Sequence, residues 1–251
     1  MLRSNKINIK RIIINLNMYY IGFDIGSSSV KVAIVEMATG KSIGVVQEPE
    51  TEMSMLALKN GWAEQKPEDW WHHSCNAVAK LKKKFNISRT QIKGIGISYQ
   101  MHGLVLVDKQ GQPLRKSIIW CDSRAVEIGN EAFSAIGEQK CNEHLLNSPG
   151  NFTASKLKWV KENEPEIYNQ VHKFMLPGDY IAYKLSNVIN TTISGLSEGI
   201  MWDFKNDSFA DFLFEHYGIS NELVPDIVDT FCVQSKVDKK GAEESGLEEG
   251  T

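Results

Sequence analysis

Short apolar, β-branched runs occupy positions 19–24, 29–37 and 42–48, broken first by Gly26-Ser27-Ser28 and then by Ala38-Thr39-Gly40-Lys41. Runs of that length between turn-forming residues predict three strands in an antiparallel meander. The periodicity then changes. Pro67-Glu68-Asp69 suits the first turn of a helix, where proline lacks only an orphan donor and carboxylates meet the positive end of the dipole. Trp71, Cys75, Val78, Leu81 and Phe85 follow at helical spacing and make one apolar stripe. A strand is predicted from Ile92 to Ser98, with Ile95 and Ile97 alternating with glycines. Another runs from Leu104 to Val107 into the turn Asp108-Lys109-Gln110-Gly111. Three strands, a helix and further strands predict an α/β fold, a mixed sheet covered by helices.

Beyond Asp122 helical patterns dominate, at about 123–138, 154–163, 165–171, 179–185 and from Phe209 to Tyr217. The segment from Lys239 to Thr251 reads as a polar, glycine-bearing tail that closes no pattern. No internal repeat or low-complexity stretch occurs. Residues 1–17 carry Arg3, Lys6, Lys10 and Arg11 around scattered isoleucines, and the run Ile12 to Ile14 is too short for a signal-peptide core. They read as a leader outside the fold, so the domain is expected to span 18–251.

Composition narrows the function classes. The 251 residues are 42% hydrophobic and 24% charged, ordinary for a globular chain. A net charge of −3 gives no electrostatic case for nucleic acid or an anionic membrane. Lys82-Lys83-Lys84 reads as a solvated helix end, and Glu162, Glu164 and Glu166 as solvated helix surface. The cysteines Cys75, Cys121, Cys141 and Cys232 lie far apart, without metal or disulfide spacing, which fits a cytoplasmic protein.

Candidate chemistry begins at Asp24, delivered by the first strand into Gly26-Ser27-Ser28. Small residues, hydroxyls and backbone N–H groups can wrap phosphate oxygens, and a nearby aspartate can hold Mg2+ through water. A charge between two strands is costly unless it is paired or holds a cation. The turn is not a Walker loop, because it leads into a strand. An ordinary hairpin with a polar turn accounts for it equally well. Gln100-Met101-His102-Gly103 follows a strand end, where ligand crevices form in α/β folds. Trp120, Asp122 and Arg124 alternate an aromatic face with a carboxylate and a guanidinium, suited to a sugar's C–H face and hydroxyls. The plainer readings are a turn with a satisfied histidine, a core tryptophan, and helix-capping roles for Asp122 and Asp179.

The order of these pieces is more distinctive than any one of them. The hairpin, Gly61-Trp62-Ala63-Glu64-Gln65, Pro67-Glu68-Asp69-Trp70-Trp71, Gly94-Ile95-Gly96-Ile97-Ser98, Gln100-Met101-His102-Gly103 and Trp120-x-Asp122-x-Arg124 resemble the FGGY carbohydrate kinases. So do Phe152-Thr153-Ala154-x-Lys156-Leu157-x-Trp159 and Leu176-Pro177-x-Asp179-Tyr180. The likeness runs from Met18 to the end and covers the first of the family's two domains. It implies a ribonuclease-H-like (actin-like ATPase) fold and phosphorylation of a sugar by ATP with Mg2+. The expected acceptor is D-xylulose at its 5-hydroxyl. Another ketose or polyol, or a non-catalytic sugar-binding domain, are the alternatives. An Arg-Glu pair expected of glycerol kinases is replaced by Met101-His102, which argues against glycerol. Carried over, Asp24 holds the magnesium–phosphate assembly through water and Gly26, Ser27 and Ser28 form the ATP-phosphate turn. Gln100, Met101 and His102 face the ketose, with Trp120, Asp122 and Arg124 completing its pocket. The family's general-base aspartate belongs to a glycine-rich segment expected beyond Thr251. The implied partners are the ketose and ATP, with a homodimer left open. Near Ser194-Gly195-Leu196-Ser197-Glu198-Gly199 the family pattern S-D-A-S-x-T is broken by Gly195 and Gly199, which loosens the assignment of the sugar.

Overall fold

A computed structural model describes residues 17–251; the leader expected over 1–17 lies, except for Asn17, outside the described residues. Strands β1 (Tyr19–Ile25), β2 (Val30–Glu36) and β3 (Ser42–Glu48) form the expected antiparallel meander. After the two-residue strand β4 (Glu64–Gln65), helix α1 (Pro67–Phe85) lays Trp70, Ala77, Val78 and Leu81 on the sheet, where Ile21, Phe23, Ile25, Val30, Val32 and Ile34 are buried. Strand β5 (Ile92–Tyr99) then pairs parallel with β1, giving the order β3-β2-β1-β5.

Strand β6 (Val105–Val107) divides its faces between two apolar cores. Val105 and Val107 join the core under the sheet, whereas Leu104 and Leu106 join a second core among the helices. The period of two in a strand produces that division directly. After β7 (Ser117–Ile118) come α2 (Val126–Ile136), α3 (Glu138–His144), α4 (Thr153–Asn163) and α5 (Pro165–Tyr168). Strand β8 (Lys173–Met175) pairs with β6 and leads into α6 (Pro177–Ser186). The remainder comprises β9 (Asn190–Thr192), α7 (Ile193–Glu198), β10 (Trp202–Asp203), β11 (Ser208–Phe209), α8 (Asp211–Tyr217), β12 (Asp226–Val228) and α9 (Lys239–Ser245).

Several expectations need correction. The helix expected over 123–138 starts at Val126 and breaks at Gly137, whose φ of 100° lies outside the helical range. The helix expected over 165–171 is the single turn α5. The tail is no polar appendage: α9 is N-capped by Asp238, which accepts from Gly241 N at 2.6 Å, and it places Ala242 and Leu247 in the first core. Lys82 is drawn from solvent to donate to the Gly246 carbonyl at the end of that helix. Glu164 is not solvated surface either, since Arg115 Nε lies 2.8 Å from its Oε2.

Candidate functional site

Because β1 and β5 are parallel and in register from Tyr20↔Gly94 to Ile25↔Tyr99, the turn after one and the loop after the other emerge side by side. Gln100 N donates to Ile25 O at 2.8 Å and ties them together. Ligands bind outside the carboxyl ends of strands in such sheets. Within the turn, Gly26 N donates to Ser29 O at 3.1 Å, while the N–H groups of Ser27 and Ser28 meet no acceptor among the described residues. Outside support comes from Met53 N on Ser28 O (2.8 Å) and Gln65 Nε2 on Ser27 O (2.6 Å).

Asp24 corrects the premise attached to it. Its side chain is on the open face of the sheet, 52% exposed, opposite Lys31 on β2 and Ser98 on β5. Lys31 Nζ lies 3.5 Å from its Oδ2, so the charge is paired and hydrated rather than trapped between buried strands. An exposed pair of this kind is worth ~0–1 kcal/mol and yields readily to a stronger cation.

On the neighbouring loop Met101 is exposed, as is half of Trp120, whose plainer reading was core. Trp120 Nε1 donates to Ser27 Oγ at 3.2 Å, bringing this aromatic face to the turn. Gln100 keeps both amide atoms buried without a partner among the described residues. His102 adopts φ 59°, a left-handed conformation that costs a non-glycine residue energy unless neighbours fix it. Three neighbours do. Lys156 Nζ donates to His102 O at 2.7 Å, the His102 ring packs edge-on to Phe152 with centroids 4.2 Å apart, and Glu198 Oε1 receives the His102 main-chain N–H while lying 2.9 Å from Nδ1.

Asp122 and Arg124 stand apart from this exposed group. Both are buried, and Arg124 Nε and Nη2 donate to the Asp122 carboxylate at 2.7–3.0 Å. The guanidinium packs against Trp62 (3.8 Å to the ring centroid) and Trp159 (4.8 Å), two indoles that meet edge-on with centroids 5.3 Å apart. Its Nη1 lies 2.8 Å from Glu64 Oε1, which Arg115 also approaches at 2.6 Å. The side chains therefore form an ion network beneath the Trp120 loop, with Asn151 donating to the Asp122 carbonyl.

Lys156, Glu64, Gln65 and Glu198 were missed as site-building residues. All four lie in stretches singled out in the sequence, but spacing alone gives no sign that they reach Ile119, Arg124, Ser27 and His102. Lys156 Nζ also donates to Ile119 O at 3.0 Å, joining the His102 and Trp120 loops. Burial lowers its pKa to about 8 against the opposing pull of the Asp122 and Glu198 carboxylates. A separate groove of about 570 Å3 follows the outer edge of β5 past Tyr99 and Asp179, and takes in none of Asp24, Met101, His102 or Trp120.

The sheet order, its parallel β1–β5 pair and the flanking helices define an actin-like, ribonuclease-H-like domain. Residues 19–251 match the family model for the FGGY family of carbohydrate kinases, N-terminal domain, and the chain belongs to that family. It is 34% identical over 236 residues to a xylulose kinase of Bacillus subtilis (strain 168), covering 92% of this chain and 46% of the relative. The fold is similar to ligand-bound xylulose kinase from Lactobacillus acidophilus, with a TM-score of 0.83, 22% identity and coverage of 93% of this chain and 46% of that one. A gluconate kinase from the same organism gives a TM-score of 0.83 at 22% identity, covering 94% of this chain and 46% of that one. The chain thus spans about half the length of these relatives. Among the described residues no helix is long and apolar enough to cross a membrane.

Proposed function

We propose that this chain is the sugar-binding and phosphate-turn half of an ATP-dependent kinase that phosphorylates D-xylulose at its 5-hydroxyl. The carrying observation is the meeting of the Ser27 turn with the Gln100–Gly103 loop and Trp120 at the carboxyl ends of β1 and β5. The likeness to curated xylulose kinases supports the choice of sugar. Similar folds in gluconate and glycerol kinases keep another polyol as the second reading.

ATP and Mg2+ fit the residues present. The free N–H groups of Ser27 and Ser28 suit phosphate oxygens, and Asp24 is an accessible carboxylate one strand-end away. No group of three or more His, Cys, Asp or Glu among the described residues forms a metal cage. One carboxylate with water and phosphate is a common way to hold Mg2+, which would neutralise charge developing on the transferred group. Met101, His102 and the Trp120 face orient the ketose, and Gln100 offers its unpaired amide to a hydroxyl. Asp122, Arg124 and Lys156 hold those loops in place.

In a kinase that joins this domain to its second half, Asp24→Ala is expected to lower kcat at least about a hundredfold, ~3 kcal/mol in the barrier. Near-normal turnover would remove Asp24 from the mechanism. For the chain itself, D-xylulose titrated at millimolar concentration is expected to shift the NMR signals of Met101, His102 and the Trp120 indole, without ketose-dependent ATP turnover. Signals that move equally with sorbitol, or not at all, would refute the sugar assignment.

A further inference from the structure

Glu198 closes α7, at the negative end of a helix, where a carboxylate is disfavoured by the dipole. It is also drawn in from solvent, with its Oε2 buried and without a partner among the described residues, and the carboxyl group of Asp179 is close enough to feel its charge. Neither helix stability nor solvation accounts for its place. What the side chain does in the fold is bind His102 twice. Oε1 accepts the His102 main-chain N–H and lies 2.9 Å from Nδ1. The Glu198 carbonyl is 3.3 Å from the same ring nitrogen. The placement is built in: Thr192 Oγ1 caps α7 by accepting from Gly195 N at 3.0 Å, and Gly199 O accepts from Ala154 N at 3.1 Å, locking the helix end to α4. Helix α4 in turn brings Lys156 to His102 O.

Two acceptor oxygens around Nδ1 require a proton on that nitrogen. In the neutral imidazole the other nitrogen, Nε2, then carries a lone pair. Nε2 meets no partner among the described residues, and a fifth of the His102 side chain is exposed. We propose that Glu198 is a positioning residue for His102: it holds the loop in its left-handed turn and fixes the Nδ1–H tautomer, so that Nε2 stands as a hydrogen-bond acceptor for a ligand hydroxyl. The ligand class is a polyhydroxylated, uncharged sugar that donates an O–H, and this part rests on the ketose reading above. An imidazole held in this way favours a hydroxyl donor over a carboxylate at the same point, because a carboxylate has only lone pairs to offer it.

The test uses the 251-residue chain with 15N-labelled histidine. Two-bond 1H–15N correlations distinguish the two neutral tautomers from each other and from the doubly protonated ring. The wild-type His102 is expected to show the Nδ1–H pattern. Glu198→Ala is expected to shift the balance toward Nε2–H and to weaken D-xylulose binding at least about fivefold. Glu198→Gln keeps a carbonyl acceptor and is expected to preserve both the tautomer and the affinity within about twofold. An Nε2–H pattern in the wild type overturns the proposal, as does Glu198→Ala with tautomer and affinity unchanged. A mere loss of packing would lower the melting temperature without rescue of the tautomer by Glu198→Gln. Should Glu198→Ala fail to fold, the wild-type and Glu198→Gln spectra decide the matter. If the wild type binds no D-xylulose, the ketose reading falls while the tautomer measurement still settles the role of Glu198.

Discussion

Asp179 stands at the start of α6, where its carboxylate accepts from Leu176 N at 3.2 Å and from Thr191 Oγ1 at 2.9 Å. Burial raises its pKa to about 7, and the Glu198 charge pushes the same way, against those two hydrogen bonds. The folded chain therefore holds this proton more tightly than the unfolded one, whose carboxyl titrates near the ordinary value of 3.8. Between those two pH values the native state binds more protons, so stability contributed by this residue falls as pH rises and is lowest above the folded pKa. Asp179→Asn keeps an acceptor for both donors without the charge. Urea unfolding is expected to show the variant gaining on the wild type between about pH 5 and about pH 8; an equal difference at both would reject the account. The helix-start role of Asp179 was legible in its Pro-Gly-Asp context, whereas its titration was not, because burial is a property of the fold. Asp122 and Arg124 teach the same lesson. Their alternation beside Trp120 is visible in the sequence, but only the packed structure turns them inward to Trp62, Trp159 and Glu64.

At the scale of elements, the meander, α1 and β5 followed from local pattern, since each buries one face and its period is visible in the chain. Helix α9 did not. Its sequence, Lys-Lys-Gly-Ala-Glu-Glu-Ser, has little apolar content, and its position depends on close approach. A Cβ on Gly241 would overlap the Leu185 carbonyl oxygen, so the helix rests directly on the backbone at the end of α6. Glu244 adds a bond from Trp71 Nε1 at 2.6 Å, and Leu247 fills the core beyond the cap. Such contacts link residues far apart in sequence and leave no periodic trace. Gly241→Ala is expected to displace α9, because the obstruction is backbone and cannot rotate away, and to destabilise the chain by ~1–3 kcal/mol. Hydrogen exchange should rise in α9 and at the Asp238 N–H, which donates to Leu185 O. Unchanged protection there would show that the helix absorbs the methyl group.

The whole molecule is joined at β6. One core lies under the four-stranded sheet and the other among α2, α4, α7 and α8, and the strand contributes Val105 and Val107 to the first and Leu106 to the second, with Leu104 just before it joining Leu106. Neighbouring residues repeat the arrangement: Phe174 on β8 enters the second core while Met175 enters the first, and Ile118 and Ile119 divide likewise. Neither core can lose its packing without stripping one face from strands that the other needs. The candidate site lies across that junction, because Asp24 and the Gly26-Ser27-Ser28 turn belong to the sheet while Lys156, Phe152 and Glu198 come from the helical side. A coupled pair of cores would keep the turn and the His102 loop in one register. The chain is therefore expected to unfold in one cooperative step. Trp70 is buried in the first core and Trp202 in the second, so 5-fluorotryptophan labelling gives a resolved 19F signal for each. Both signals are expected to vanish at the same urea concentration. Leu106→Ala, which touches only the second core directly, should cost ~2–5 kcal/mol and move both midpoints together. Loss of the Trp202 signal at lower urea, with Trp70 unmoved, would mean that the two cores are separate folding units and that the site is assembled by docking them.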